Sequence, residues 1–143
     1  MKGLSEILLG IRYNLDGTNM KTIISGTKTV KNSKLLMEAV EESKFEISEV
    51  VTGSNFGADY LATRYAEDNK IPLKIFPSYQ DSYGHSAGPI RNKEMVEYAD
   101  SLIIIIDNES RETKNLIESA QKKGIPVSIK YINRDYFSLD DFI

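Results

Sequence analysis

The sequence predicts a single three-layer α/β domain built on a mainly parallel five-stranded sheet, ordered 3-2-1-4-5, and three observations predict it. From Met20 onward, short apolar runs alternate with amphipathic segments, as they do where crossover helices join parallel strands. The run 102–106 is apolar at every position, which suits a central parallel strand covered on both faces. A chain of 143 residues has the length of one domain, about 100 to 200 residues.

Each element follows from local chemistry. The first strand, 21–25, is closed by Gly26, and Ser33 is placed to cap a helix carrying Leu36, Ala39 and Val40 on one face. The second strand, 49–52, runs into a loop containing Gly53, Ser54, Asn55, Phe56 and Gly57. The next helix sets Ala58, Leu61, Ala62, Tyr65 and Ala66 along one stripe, with Arg64, Glu67 and Asp68 opposite. A third strand at 72–76 precedes a polar loop at 77–88, whose length marks it as functional or mobile. A helix is expected over 89–99 with Pro89 at its first position. The fourth strand, 101–107, is followed by a helix over Arg111–Lys123 that Gly124 terminates, and by a fifth strand at 126–130. The predicted core domain spans 20–130. Residues 1–19 form an extension of possible helical character, and 131–143 form a tail whose Tyr131, Tyr136, Phe137 and Phe142 are expected to dock on the domain or on a second protomer.

Composition removes several classes of function. With 18 Lys+Arg against 21 Asp+Glu the net charge is −3, which argues against bulk attraction to nucleic acid or anionic membrane and leaves a small molecule or a protein as the default partner. No cysteine means no disulfide framework, thiolate metal site or cysteine nucleophile, and points to the cytoplasm. A single histidine likewise removes multi-histidine zinc sites, and the expected site includes no metal and no cofactor. No apolar run approaches the roughly 18 to 20 residues of a membrane span, and no export signal is read at the N-terminus.

In an open parallel sheet, ligands bind beyond the carboxyl ends of the strands. Three of these ends carry loops rich in small and hydroxyl residues ahead of a helix: Ser25-Gly26-Thr27-Lys28, the segment from Gly53 to Asp59, and the segment from Asp107 to Thr113. Free N–H groups and the positive end of a helix favour an anion at such places. The pair Gly53 and Gly57 matches neither the three-glycine dinucleotide fingerprint nor a Walker loop.

Taken together, Ser25-Gly26-Thr27-Lys28, Val51-Thr52-Gly53 with Gly57-Ala58-Asp59, Phe76-Pro77, Tyr83-Gly84, Ala87-Gly88-Pro89-Ile90-Arg91-Asn92, and Ala99-Asp100 with Asp107, Ser110 and Thr113 resemble the SLOG superfamily, and within it the YspA-like (DUF2493) branch. The resemblance covers about residues 21–130, and 87–92 is its most specific part. It implies a Rossmann-like sheet that binds a nucleotide or nucleotide-derived ligand, often in signalling or phage conflict. Relatives include the DprA protein, which binds single-stranded DNA, and the LOG phosphoribohydrolases, which cleave a base from nucleoside monophosphates. The glycine-rich loop and following acid of the LOG enzymes are missing, because Thr113 is followed by Lys114, Asn115 and Leu116. Glu112 also stands where the YspA-like pattern has glycine, and Gln80 where it has tryptophan.

The expected function is therefore binding of a small nucleotide-type ligand by a sensor or sequestering module that self-associates. An N-glycosidic hydrolase using Arg91 and Glu118 is the runner-up, and a single-strand DNA module is third. The expected site comprises Gly26, Thr27, Lys28, Gly53, Ser54, Gly57, Ala58, Asp59, Tyr83, Gly88, Pro89, Arg91, Asn92, Asp107, Ser110 and Thr113.

Each of these residues also has a plainer reading. Arg91 is read as a phosphate clamp in preference to a surface partner of Glu94. Asn92 is divided equally between a ligand and a neighbouring loop. Asp59 is read as helix-end stabilisation over ribose contact. Asp107 leans toward ligand contact over an ordinary loop turn, and Ser54, Ser110 and Thr113 are ligand hydroxyls or caps. His85 is read as an exposed loop residue, and Tyr83, but not Tyr79, as a stacking candidate. Lys28, Lys93, Arg111 and Lys114 are expected near one edge, interspersed with Glu94, Glu109 and Glu112, a mixture suited to a compact phosphate.

Overall fold

The computed structural model describes residues 19–78, 84, 87–107 and 110–132. The extension 1–18, the tail 133–143, and Tyr79, Tyr83, His85 and Glu109 lie outside the described residues. In chain order the elements are β1 (Met20–Gly26), α1 (Ser33–Ser43), β2 (Ile47–Gly53), α2 (Ala58–Asp68), β3 (Leu73–Phe76), α3 (Ala87–Tyr98), β4 (Ser101–Ile106), α4 (Arg111–Lys123) and β5 (Val127–Tyr131). The strands form one parallel sheet ordered β3-β2-β1-β4-β5, as the sequence predicts.

The alternation of side chains along each strand divides the core into two layers. Ile23, Val51, Leu102, Ile104 and Ile106 face Met95, Val96 and Ala99 around α3, and Leu116 and Ala120 from α4. Ile24, Val50, Ile103 and Ile105 face Leu36 and Ala39 of α1 and Ala58, Ala62 and Ala66 of α2. All six residues of β4 are buried, which is why its apolar run is unbroken. The alanine stripe of α2 lets that helix lie close to the sheet. The edge strand β3 is only partly covered, with Ile75 exposed.

Strand β2 begins two residues earlier than expected and β4 ends at Ile106, one residue short of Asp107, and three further differences have a local explanation. Asn32, not Ser33, caps α1: in extended conformation its side-chain oxygen accepts the Lys34 N–H at 2.9 Å, which places Ser33 inside the helix. Helix α3 starts at Ala87, so Pro89 is its third residue and not its first. A proline is compatible there because first-turn N–H groups have no partner within the helix. Strand β5 extends through Tyr131, which itself pairs with Ile106 of β4, so the sheet takes in the first residue of the expected tail.

Candidate functional site

The chain leaves β1 toward β2 on one side, and β4 later docks on the other. The carboxyl ends of β1 and β4 therefore flank the point where the direction of the sheet order changes, the place where parallel sheets open a crevice. A cleft of about 410 Å3 lies there. One wall is the end of β1 and its loop (Ser25, Gly26, Thr27, Lys28, Thr29), with Asn55 from the loop after β2. The other wall is Arg91 and Asn92 on α3 together with Ser110, Arg111, Glu112, Thr113 and Leu116 at the start of α4.

The β1 loop is fastened from several directions. Thr27 donates its N–H to the Ile105 carbonyl at 3.1 Å, and its own carbonyl accepts from Val30 and Ala58. Its hydroxyl oxygen accepts the Asp107 N–H at 2.9 Å, while the Asp107 carboxylate accepts from the Thr29 hydroxyl at 2.7 Å. Asp107 thus braces the first loop against the end of β4. At Gly57, where φ is +76°, a Cβ would run into the Lys28 backbone, so glycine serves both the left-handed conformation and the close approach of the two loops.

Behind the cleft lies a buried polar chain. Arg91 is 3% exposed and Asp59 1% exposed. Asp59 accepts the Ser25 hydroxyl at 2.5 Å and the Asn55 N–H at 3.2 Å, and faces Arg91 with an Oδ2 to Nη1 separation of 3.9 Å. Burial pushes the Asp59 carboxyl above the ordinary carboxylate range, opposed by the Ser25 hydroxyl, the Arg91 charge and the Asn55 N–H. On its other side Arg91 donates from Nε to Asn92 Oδ1 at 3.1 Å. Asn92 donates to the Glu112 carbonyl at 3.2 Å and to Asn115 Oδ1 at 3.0 Å, which ties α3 to α4. Gly53 makes room for this chain, because a Cβ there would overlap the guanidinium of Arg91.

Arg91 Nη1 is nonetheless buried without a hydrogen-bond partner. That nitrogen faces Asp59 Oδ2 and the backbone at Gly53, behind the cleft, so it seats the guanidinium against Asp59 and is not the part of Arg91 that the cleft exposes. Comparisons with protein-family models, curated proteins and solved structures return no match. The site is therefore read from its own geometry.

Of the expected site residues, the structure brings Gly26, Thr27, Lys28, Arg91, Asn92, Ser110 and Thr113 together as lining of the cleft. Gly53, Asp59 and Gly57 stand behind the lining and shape it. Ala58 is buried in the core, Ser54 and Pro89 are exposed away from the lining, and Gly88 lies under Glu112. Arg91 is no surface partner of Glu94. Asp59 stabilises by a buried network and not by helix-end charge alone. Glu118 is exposed on α4 and does not line the cleft, and neither do Lys93 and Lys114.

Ser110 and Thr113 spend much of their polarity on each other. The Thr113 N–H donates to Ser110 Oγ and the Ser110 N–H donates to Thr113 Oγ1, a reciprocal cap on α4. The expected site did not contain Ser25, Thr29, Asn55, Arg111, Glu112 and Leu116, which the structure adds. Helical spacing carries part of that signal: Leu116 lies one turn beyond Thr113 on the same face. Among the described residues no group of three acidic or histidine side chains is placed to hold a metal ion, and no helix is long and apolar enough to cross a membrane.

Proposed function

We propose that this protein binds a small phosphate-bearing ligand of nucleotide type in the cleft between β1, α3 and α4, as a sensor or sequestering module. The observation that carries the reading is Arg91: a guanidinium that lines the cleft, held against Asp59 from behind and against Asn92 on its flank. A planar guanidinium fork is matched to phosphate oxygens. Lys28 and Arg111 add exposed positive charge at the cleft walls, and a volume of about 410 Å3 suits a ligand of mononucleotide scale. The likeness of 87–92 and of the loops after β1 and β2 to the SLOG superfamily supports the same ligand class.

Binding without cleavage is the favoured form of this reading. The carboxylate at position 118, the candidate acid for an N-glycosidic hydrolase, is exposed and does not line the cleft, whereas Leu116 on the same helix does. Glycosidic cleavage needs a placed carboxyl group, and the one carboxylate among the described lining residues is Glu112, so release of free base in the following test would assign the acid role to Glu112.

The test is incubation with a pool of mononucleotides, dinucleotides, ADP-ribose and cyclic nucleotides, followed by ultrafiltration and mass spectrometry of both fractions. The expected result is an intact retained ligand whose retention is lost in Arg91→Ala. Released base would convert the protein into an enzyme, and equal retention by Arg91→Ala would remove the cleft from the account.

A further inference from the structure

We propose that Glu112 is the specificity-determining residue of this cleft, selecting ligands that carry a single phosphate and neighbouring hydroxyl groups, and rejecting polyphosphates. The proposal rests on the phosphate-binding reading of Arg91 and deepens it. Glu112 is the second residue of α4 and lines the cleft half-buried. Its side chain lies over Gly88: a Cβ built there would be 3.5 Å from Glu112 Oε1 and Cγ. Gly88 precedes Arg91 by one helical turn on α3, and residues so spaced are neighbours on one face, roughly 5–6 Å apart. The carboxylate and the guanidinium therefore front adjacent parts of the same wall.

Two properties of Glu112 give it this role. It is the one carboxylate among the described lining residues, set against the cations Lys28, Arg91 and Arg111. A first phosphate placed at Arg91 meets attraction, whereas further phosphates reaching along the wall meet a like charge in a partly desolvated cleft. An ionised carboxylate is also acceptor-only. Among the described residues no hydrogen bond or ion pair engages the Glu112 side chain, so its oxygens are open to donors on a ligand. Vicinal hydroxyls of a sugar fit both oxygens. At the α4 terminus the reciprocal cap engages the N–H groups of Ser110 and Thr113, and the first turn already holds the Glu112 charge.

The chemistry defined is thus a sugar monophosphate unit, free or within a nucleotide. Calorimetric titrations with ribose 5-phosphate, AMP, 2′-deoxy-AMP and ATP, on the wild-type chain and on Glu112→Gln, Glu112→Ala and Arg91→Ala, test it. The wild type is expected to prefer AMP to ATP and to 2′-deoxy-AMP by at least about tenfold, as for a charged hydrogen bond gained or lost. Glu112→Gln should raise ATP affinity relative to AMP, and Glu112→Ala should level AMP with 2′-deoxy-AMP. Ribose 5-phosphate bound as tightly as AMP would identify the free sugar phosphate as sufficient. Equal affinity of the wild type for AMP and ATP, or ratios unmoved in both Glu112 variants, overturns the role of Glu112. In that case a loss of affinity in Arg91→Ala leaves the phosphate-binding reading standing. No binding of any probe by the wild type overturns both.

Discussion

Gly53, at the end of β2, lies directly against the guanidinium of Arg91 on α3: a Cβ at position 53 would overlap Nη1 and come within 2.6 Å of Asp59 Oδ2. The glycine that ends the second strand is thus a seat for a side chain from another element. Its lack of a Cβ, and not an exceptional backbone conformation, is what the structure uses.

Gly53→Ala is therefore expected to push Arg91 out of its place. Overpacking a buried site typically costs about 1–3 kcal/mol, and a displaced guanidinium disturbs its contacts with Asp59 and Asn92. Chemical denaturation should show that loss of stability, and nucleotide retention should fall at least tenfold (about 1.4 kcal/mol). A variant that keeps wild-type retention would show that Arg91 does not need this seat.

Asp59 gives the protein a predictable dependence on pH. Burial raises its carboxyl in the folded state above the unfolded value near 3.8. Between those two values the folded chain holds a proton that the unfolded chain has released, so the contribution of Asp59 to stability is greatest at low pH and declines as pH rises through the window. Asp59→Asn cannot titrate. The difference in unfolding free energy, wild type minus Asp59→Asn, is expected to shrink or turn negative from pH 4 upward, measured by urea denaturation at successive pH values. A difference that grows with pH would show that the carboxylate is held below its ordinary range, with the Arg91 charge outweighing burial.

Much of the fold was legible because its periodicities are strong. The unbroken apolar run of β4 and the alanine stripe of α2 report a doubly covered strand and a helix lying close on a sheet, and both are local in the sequence. The site was legible only in outline. The three loops at the strand ends were found, but sorting cleft lining from supporting structure depends on contacts between distant segments. Asp59 looks like an ordinary first-turn acid until Ser25 and Arg91 are seen on either side of it. The small residues around it, Gly57-Ala58 and Ala87-Gly88, were the available hint that two helices bring polar groups close together. Cap positions shifted because Asn32 and Ser33 are both good caps, and the tertiary path of the β1 loop chose between them.

Ser110 separates a structural role from a binding role. Its side-chain oxygen accepts the Thr113 N–H at 3.2 Å, and its N–H donates to Thr113 Oγ1 at 3.0 Å. Removing such a cap typically costs about 0.5–2 kcal/mol. Ser110→Ala should lower the melting temperature while leaving nucleotide affinity within about threefold, well short of the tenfold step that 1.4 kcal/mol represents. A large loss of affinity with an unchanged melting temperature would reassign the hydroxyl to the ligand.

Asn92 is the joint between α3 and α4. Its amide reaches Glu112 and Asn115 across the helix pair, and its carbonyl oxygen accepts from Arg91 Nε, so one residue sets both the helix spacing and the guanidinium plane. At 1% exposure its groups have no water to fall back on. Asn92→Ala removes the cross-helix bonds to the Glu112 carbonyl and Asn115 and leaves the buried Arg91 Nε without its partner, and an unsatisfied buried group costs about 1–3 kcal/mol. The expected outcome is a loss of stability in that range in denaturant unfolding together with weaker nucleotide binding. Asn92→Asp discriminates between the two effects: it keeps an acceptor for Arg91 but removes the donor to α4. If the guanidinium plane governs binding, Asn92→Asp should retain more affinity than Asn92→Ala at similar stability; equal affinity in the two variants would place the effect in the helix spacing.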